Sequence, residues 1–388
     1  MGVIPNNVEA LAHALALARQ GLLLTSPNPR VGCAIVDAAG QVIGSGHTQA
    51  AGGAHAEVMA LRDAAQRGHS VQGATVYVTL EPCSHYGRTP PCADALVAAG
   101  IHKLVAIHPD PNPLVAGRGF DRLRAAGIAV DILATDAPHH PLTLEAWELN
   151  IGFFTRMVRQ MPWVRMKIAA SLDGRTALPN GASQWITAPA ARADGHAWRA
   201  RACAVLTGIG TVLHDNPRLD VRLCETPRQP TLVVVDSRLD MPLDANLIAP
   251  DLIATRSCIV YTASPDGSHV AKKQALEARG VKVVAMPDAA GGTGKVDLSA
   301  MLRDLAQTHH INELHVEAGE KLNGSLLRAG LVDELLIYLA PLLMGDGGGL
   351  ARLGVLENLA QARELCRLEF QETRAIGSDL RILARVKR

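Results

Sequence analysis

The chain has 388 residues, which at roughly 150 residues per domain predicts two domains, three at most. Apolar residues make up 48% and charged residues 19%, ample material for buried cores and no compositional sign of disorder. Lys and Arg exceed Asp and Glu by one (38 − 37 = +1) and aromatics reach only 3%, which argues against nucleic acid as a partner and leaves small molecules.

Leu11, Leu15, Ala18 and Leu22 recur at helical spacing, so a helix over 7–21 opens the chain, and Ser26-Pro27-Asn28-Pro29 breaks it. Residues 31–36 and 41–45 read as strands joined through a hairpin at 37–40. A helix over 55–68, a strand over 74–80, a helix from Pro90-Pro91 to Gly100 and a strand over 103–107 follow, then a helix over 122–127 and a strand over 129–133. The stretch 134–141 interrupts the pattern, and 142–160 reads as a linking helix. A second series begins at Pro162, with strands expected at 163–170, 204–208, 231–236, 258–262, 281–285, 313–317 and 334–341. Strands alternating with helices imply mainly parallel sheets covered on both faces. The expected domains are 1–150 and 151–388, with no internal repeat.

No apolar run approaches the roughly 18 residues that span a bilayer, so no membrane partner is expected. The opening Met1-Gly2-Val3-Ile4-Pro5-Asn6 has neither a basic leader nor a myristoylation signal. Seven cysteines do not make a disulfide framework in a chain this long. A reducing, cytoplasmic setting is expected, where clustered cysteines read first as metal ligands or catalytic groups.

The strongest chemical signal is His55-Ala56-Glu57 followed by Pro82-Cys83 and Cys92. One imidazole and two thiolates give zinc three protein ligands and leave a fourth position open for water. Residues two apart in mid-helix do not share a face, so His55 and Glu57 make sense together only where a helix begins, after Gly52-Gly53. Cys92 falls in the first turn of its own helix, where the dipole and free amides favour a thiolate. The general zinc-deaminase pattern is H-x-E…P-C-x-x-C, with the glutamate moving protons. Here eight residues, 84–91, separate the two cysteines. His85 is an alternative or additional ligand, which would close the site and make the zinc structural. Cys33, Cys203, Cys224, Cys258 and Cys366 stand singly and read as packing.

The segments 26–32 (SPNPRVG), 53–58 (GAHAEV) and 79–92 (TLEPCSHYGRTPPC) resemble the deaminase half of the RibD family of bifunctional riboflavin biosynthesis proteins, in which the long Cys–Cys spacing is at home. The second half resembles that family through 167–177 (KIAASLDGRTA), 183–187 (SQWIT) and 316–319 (VEAG). The resemblance implies a cytidine-deaminase-like three-layer α/β domain followed by a dihydrofolate-reductase-like α/β domain. It implies a zinc-dependent deamination of a phosphoribosylated diaminopyrimidinone, then an NADPH-dependent reduction of the ribosyl group to ribityl. Glu57 would be catalytic, with one zinc per chain on His55, Cys83 and Cys92. Asn28, His47 and Arg88 would hold the pyrimidine and its phosphate, although Pro-Asn-Pro also suits a plain turn and Arg88 a plain loop charge.

In the second half no G-x-G-x-x-G fingerprint is present. Gly208-Ile209-Gly210 after one strand, and Gly319 opening a helix after another, are the places where backbone could approach a nucleotide. The resemblance puts Ala169, Trp185, Thr211, Asp215, Ser237 and Gly319, Glu320, Lys321, Leu322, Asn323, Gly324 and Ser325 against NADPH. It puts Ser183, Arg199, Leu219, Arg222 and Glu317 against substrate, the arginines as phosphate clamps. Trp185 also suits a core position, Asp173-Gly174 a hairpin turn, and Arg201 competes with Arg199. Competing readings are a nucleic-acid base deaminase, a noncatalytic zinc protein, and a chain with one silent half. Alanine-rich helices and exposed apolar strand ends suit a homo-oligomer, a dimer or tetramer.

Overall fold

The computed structural model describes residues 6–86, 90–264, 269–288 and 294–387. They form two compact units, Met1–Gln160 and Met161–Arg388.

The first unit runs α1 (Asn7–Gln20), β1 (Gly32–Val36), β2 (Val42–His47), α2 (Ala56–Gln66), β3 (Thr75–Leu80), α3 (Cys92–Ala98), β4 (Lys103–His108), α4 (Arg118–Ala125) and β5 (Ala129–Ile132). A one-turn helix α5 (Leu133–Asp136) and helices α6 (Pro141–Leu149) and α7 (Ile151–Arg159) complete it. Its five strands lie in the order β2-β1-β3-β4-β5. Only β3, β4 and β5 are mutually parallel; β1 is antiparallel to both neighbours. The sheet is therefore more mixed than the alternation of elements suggested, because a five-residue strand and its tight turn at Asp37–Gly40 pair locally before any helix intervenes.

Alternate strand residues face opposite ways and make two cores. Ala34, Val36, Tyr77, Val105 and Ile107 meet α1 and α6, while Cys33, Ile35, Val76, Val78 and Leu104 meet α2, α3, α4 and α7. This is the three-layer arrangement that the family resemblance implied. Two glycines allow the close fit: a Cβ on Gly32 would lie 1.9 Å from Ala14 O, and one on Gly46 would lie 2.5 Å from Ala60 N. The segment read as one linking helix is two, broken at Asn150, and both pack inside the first unit. Asn150 spends its side chain on Arg30, accepting from its backbone N–H at 2.7 Å and donating to its carbonyl at 2.9 Å.

The second unit runs β6 (Trp163–Ser171), α8 (Pro189–Arg201), β7 (Ala204–Gly208), α9 (Ile209–Asp215), β8 (Thr231–Val235), α10 (Pro250–Ile253), β9 (Cys258–Thr262), α11 (Val270–Glu277) and β10 (Val281–Ala285). It continues with α12 (Leu298–Gln307), β11 (Glu313–Val316), α13 (Glu320–Arg328), β12 (Glu334–Ala340), α14 (Leu359–Leu365), β13 (Arg367–Ile376) and β14 (Asp379–Lys387). Nine strands lie in the order β10-β9-β8-β7-β11-β6-β12-β14-β13. The first seven are parallel and the last two antiparallel. The C-terminal hairpin was not foreseen: β13 is exposed along nearly all its length, and its apolar alternation stops after Leu368 and Phe370. Chain order reverses around β6, β11 and β7, and open α/β sheets form their ligand crevices at the carboxyl ends of strands at such a reversal.

Candidate functional site

In the first unit His55 is the extended residue that caps α2 (ψ 167°), and Glu57 is buried in its first turn. Cys83 follows β3, and Cys92 is the first residue of α3, directly after Pro91. The folded chain brings these three donors together, every ligand atom within 4.8 Å of the others. Nδ1 of His55 is 3.5 Å from Cys83 Sγ and 3.3 Å from Cys92 Sγ. The Cys92 N–H donates to Cys83 Sγ at 3.3 Å, and the Ala93 N–H donates to Cys83 O at 3.2 Å. Hydrogen bonding to Cys92 draws the Cys83 thiol down to about 4, and Cys92 as its proton-holding partner is pushed up. Burial, followed by the negative charge on Cys83, raises Glu57 to about 7. One imidazole and two sulfurs at this spacing are a donor set suited to zinc with a coordination position left open. His85, the alternative ligand, is not part of the group among the described residues.

Asn28 and His47 sit on adjoining segments of the same unit. Asn28 lies in a turn closed by its N–H to Thr25 O at 2.9 Å, and His47 ends β2 opposite Gly32. His47 Nδ1 lies 3.1 Å from Thr48 O. Arg88 lies outside the described residues. Two acids absent from the sequence reading stand near the metal donors. Glu81 is buried and receives three backbone N–H groups from 110–119, and burial raises the nearby Asp110 to about 7. Glu81 immediately precedes Pro82-Cys83, but nothing in its type or spacing showed which backbone it would meet.

In the second unit Arg199, Leu219, Arg222 and Glu317 are drawn together. Arg199 grips Glu317 with two hydrogen bonds, at 2.7 and 3.0 Å, and also donates to the carbonyl of Asp220. Its guanidinium is thus committed to the protein, whereas Arg222 is half exposed and donates to Asp220 Oδ1 at 2.7 Å. Arg201 turns instead to Glu313, at 2.8 Å, which separates the two arginines that the sequence left competing. Lys167 Nζ and His315 Nε2 lie 3.8 and 3.5 Å from Glu317. Burial alone would raise Glu317, but Arg199 and Lys167 hold its carboxyl well below the usual range. Lys167 opens the 167–177 motif, yet its pairing with a residue 150 positions away was invisible there.

The proposed cofactor residues occupy the carboxyl ends of β6, β7, β8 and β11. Ala169 is near the end of β6, Thr211 and Asp215 are on α9, and Ser237 follows β8. Gly319 caps α13, which carries Glu320 to Ser325. A Cβ on Gly210 or Gly319 would meet nothing within 4 Å, so backbone there faces open space. The buried Thr207 Oγ1 and Asn323 Oδ1 have no hydrogen-bond partner among the described residues. The Glu320 carboxylate is already taken, by Arg352 at 2.5 Å and the Gly349 N–H at 3.2 Å. Trp185 is 66% exposed beneath the Arg192 guanidinium, so it is not a core residue; Ser183 is half-buried on the same loop. Asp173 does more than turn the chain: it accepts from the N–H groups of Met344 and Gly345, at 3.1 and 2.8 Å, and from Ser171 Oγ.

Comparison with known proteins matches residues 5–108 to the cytidine and deoxycytidylate deaminase zinc-binding region and residues 162–382 to the RibD C-terminal domain. The riboflavin biosynthesis protein RibD of Escherichia coli is 44% identical over 372 residues, 95% of this chain and 96% of its own. The chain belongs to the RibD family. It joins a zinc-binding deaminase domain to a reductase domain, the bifunctional arrangement of riboflavin biosynthesis. The structure of Acinetobacter baumannii RibD superimposes with a TM-score of 0.84 at 39% identity, covering 98% of this chain and 99% of that one. A Thermotoga maritima structure, described as a diaminohydroxyphosphoribosylaminopyrimidine deaminase/5-amino-6-(5-phosphoribosylamino)uracil reductase, does so with 0.83 at 30% identity, covering 98% and 99%. No helix among the described residues is long and apolar enough to cross a membrane.

Proposed function

We propose that the first unit hydrolyses 2,5-diamino-6-(5-phosphoribosylamino)pyrimidin-4(3H)-one to 5-amino-6-(5-phosphoribosylamino)uracil, and that the second reduces the ribosyl group of that product to ribityl phosphate. The observation that carries this reading is the His55–Cys83–Cys92 group with Glu57 buried beside it. His55, Cys83 and Cys92 would hold one zinc ion, which when bound supplies a water whose pKa falls from 15.7 to around 7. Glu57 would take one proton from that water and give it to the ring nitrogen, then take the second proton from the added hydroxyl and give it to the departing amine. The C–NH₂ bond breaks, a carbonyl replaces it, and ammonia leaves. A glutamate buried beside the metal donors can move a proton in both directions. Asn28 and His47 would orient the pyrimidine, and Arg88 its phosphate.

In the second unit a bound NADPH would supply a hydride to the ribose carbon that bears the amine. Ala169, Trp185, Thr211, Asp215 and Ser237 would line the cofactor, with the free N–H groups at the start of α13 available to a phosphate. Ser183, Leu219, Arg222 and Glu317 would meet the substrate; Arg222 is the exposed clamp, and Arg199 holds Glu317 charged and in place. Lys167, whose ammonium lies 3.8 Å from Glu317, would give a proton to the oxygen of the opening sugar ring.

The preference for NADPH over NADH draws support from the turn after β8. Asp236, the acid that could have met a ribose 2′-hydroxyl, is buried and accepts from the backbone N–H of Asp240 and Met241 at 3.0 and 2.8 Å. The same turn presents Arg238, its side chain 83% exposed and its Nε donating to Asp240 at 3.1 Å, a cation that would have to turn from Asp240 to meet a 2′-phosphate. A homo-oligomer is supported by β13, a ten-residue edge strand that bears Phe370 at 71% exposure and leaves backbone groups for another strand. A reducing, cytoplasmic setting accords with seven cysteines, none of them in a disulfide.

The test supplies the diaminopyrimidinone substrate to metal-quantified protein without nicotinamide, follows ammonia, then adds NADPH and follows its oxidation. Both signals, with zinc near one per chain, are expected. Ammonia alone would leave the second half silent, and neither signal with zinc bound would make the metal structural.

A further inference from the structure

We propose that Glu81 is a positioning residue for the deaminase centre: its carboxylate clasps residues 110–119 onto the Pro82–Cys83 turn and so keeps the two cysteine sulfurs at metal-binding separation. The inference rests on the zinc reading above.

Glu81 ends its strand beside β4, its own N–H donating to His108 O at 2.9 Å. Its side chain then reaches into the loop between β4 and α4. Oε2 accepts from the N–H of Asp110 at 3.1 Å and of Gly117 at 3.0 Å, and Oε1 accepts from the N–H of Gly119 at 2.9 Å. Charge-assisted bonds to three backbone donors fix both ends of one loop with a single buried group. At Gly119 the loop lies so tightly on the turn that an added Cβ would sit 2.0 Å from Pro82 O and 3.1 Å from Glu81 Oε1. Gly117, with φ 89°, supplies the left-handed residue that lets α4 start there.

The clasp bears on both thiols. Cys83 follows Pro82, whose carbonyl is the surface on which Gly119 rests. Cys92 begins α3, which is tied to α4 by the Arg122–Asp94 ion pair and to Cys83 by the Ala93 N–H. Loosening the loop frees the turn on one side and the α3–α4 pair on the other, so the sulfur separation loses both supports. Groups that orient metal ligands without touching the metal commonly contribute about 10–100-fold to affinity.

Zinc affinity by chelator competition, and thermal melting with and without zinc, would be measured on the full chain, on Glu81→Gln and on Gly119→Ala. Glu81→Gln turns an amide toward backbone donors; Gly119→Ala presses a methyl on Pro82 and leaves Glu81 intact. Each variant is expected to bind zinc about 10–100-fold more weakly and to show a smaller zinc-induced rise in Tm, with reductase turnover unchanged. Zinc affinity within about twofold of the parent, with only the zinc-free Tm lowered, would make Glu81 a fold residue and overturn the inference. Gly119→Ala carries the same expectation alone if Glu81→Gln does not fold. A parent chain that binds no zinc would overturn the metal reading itself, a result distinct from equal binding by all three.

Discussion

The two units reach their sites by opposite routes. The first gathers its metal donors from 38 consecutive residues, His55 to Cys92, on two helix starts and one turn. The second draws Lys167, Arg199, Asp220, His315 and Glu317 from strands, a helix and a loop spread over 151 residues, and holds them by the ion pairs of Lys167 and Arg199 with Glu317, with His315 beside the same carboxylate and the Asp220 carbonyl accepting from Arg199. A site made of local geometry announces itself as a motif. A site made of charges compensated across a sheet does not, because each residue alone looks like an ordinary surface or core position.

Four measurements would break or sharpen that contrast. The largest effect is expected from Glu57→Gln: ammonia release should fall about 10³-fold while zinc content and NADPH oxidation with supplied intermediate stay as in the parent. Loss of zinc instead would show that Glu57 serves the metal and not the proton. Next, Glu317→Gln would leave Arg199 buried against a neutral partner and should destabilise the second unit by about 3 kcal/mol in denaturant unfolding. Its reductase turnover should fall with deamination untouched, and an unchanged unfolding midpoint would refute the buried pairing.

A smaller change is expected for Arg238→Ala: KM for NADPH should rise about tenfold, 1.4 kcal/mol, and KM for NADH should not move. An equal rise for both cofactors would mean that Arg238 does not read the 2′-phosphate.

A last effect concerns pH and has opposite signs in the two units. Burial lowers His315 to about 3, below its unfolded value of about 6.5. The unfolded chain therefore binds the proton first, and stability of the second unit should fall as pH drops below about 6.5. Burial raises Asp110 to about 7, above an unfolded value of about 3.9. Here the folded state holds the proton, so stability present below pH about 4 is lost as pH rises toward about 7. Hydrogen exchange followed separately in each unit should show these slopes; Glu57, also raised to about 7, adds to that of the first unit, so Asp110→Asn should reduce the first unit's slope and leave the second's unchanged.

Most strands of both units were legible, with 204–208, 258–262 and 281–285 matching their observed limits. Continuous apolar runs bounded by glycine or polar turns leave little freedom in such places. The C-terminal hairpin was not legible, since an exposed edge strand has no buried face to impress a period on its residues. The split of 142–160 into two helices turned on Asn150 finding Arg30, a contact 120 residues away.

Sequence alone supplied the family and the two activities through the resemblance of its long motifs, and it singled out His55, Cys83 and Cys92 as candidate metal donors, because His-x-Glu, Pro-Cys and a cysteine opening a helix can serve one ion only in a narrow set of local geometries. Tertiary structure decided the rest. It placed Arg199 on Glu317 and Arg201 on Glu313, and left Trp185 exposed. It also set Glu81 across the loop beside Cys83. These are choices among partners for charged and polar side chains. They depend on which opposite charge or unpaired backbone group the fold brings within about 3 Å, a distance that spacing along the chain does not encode.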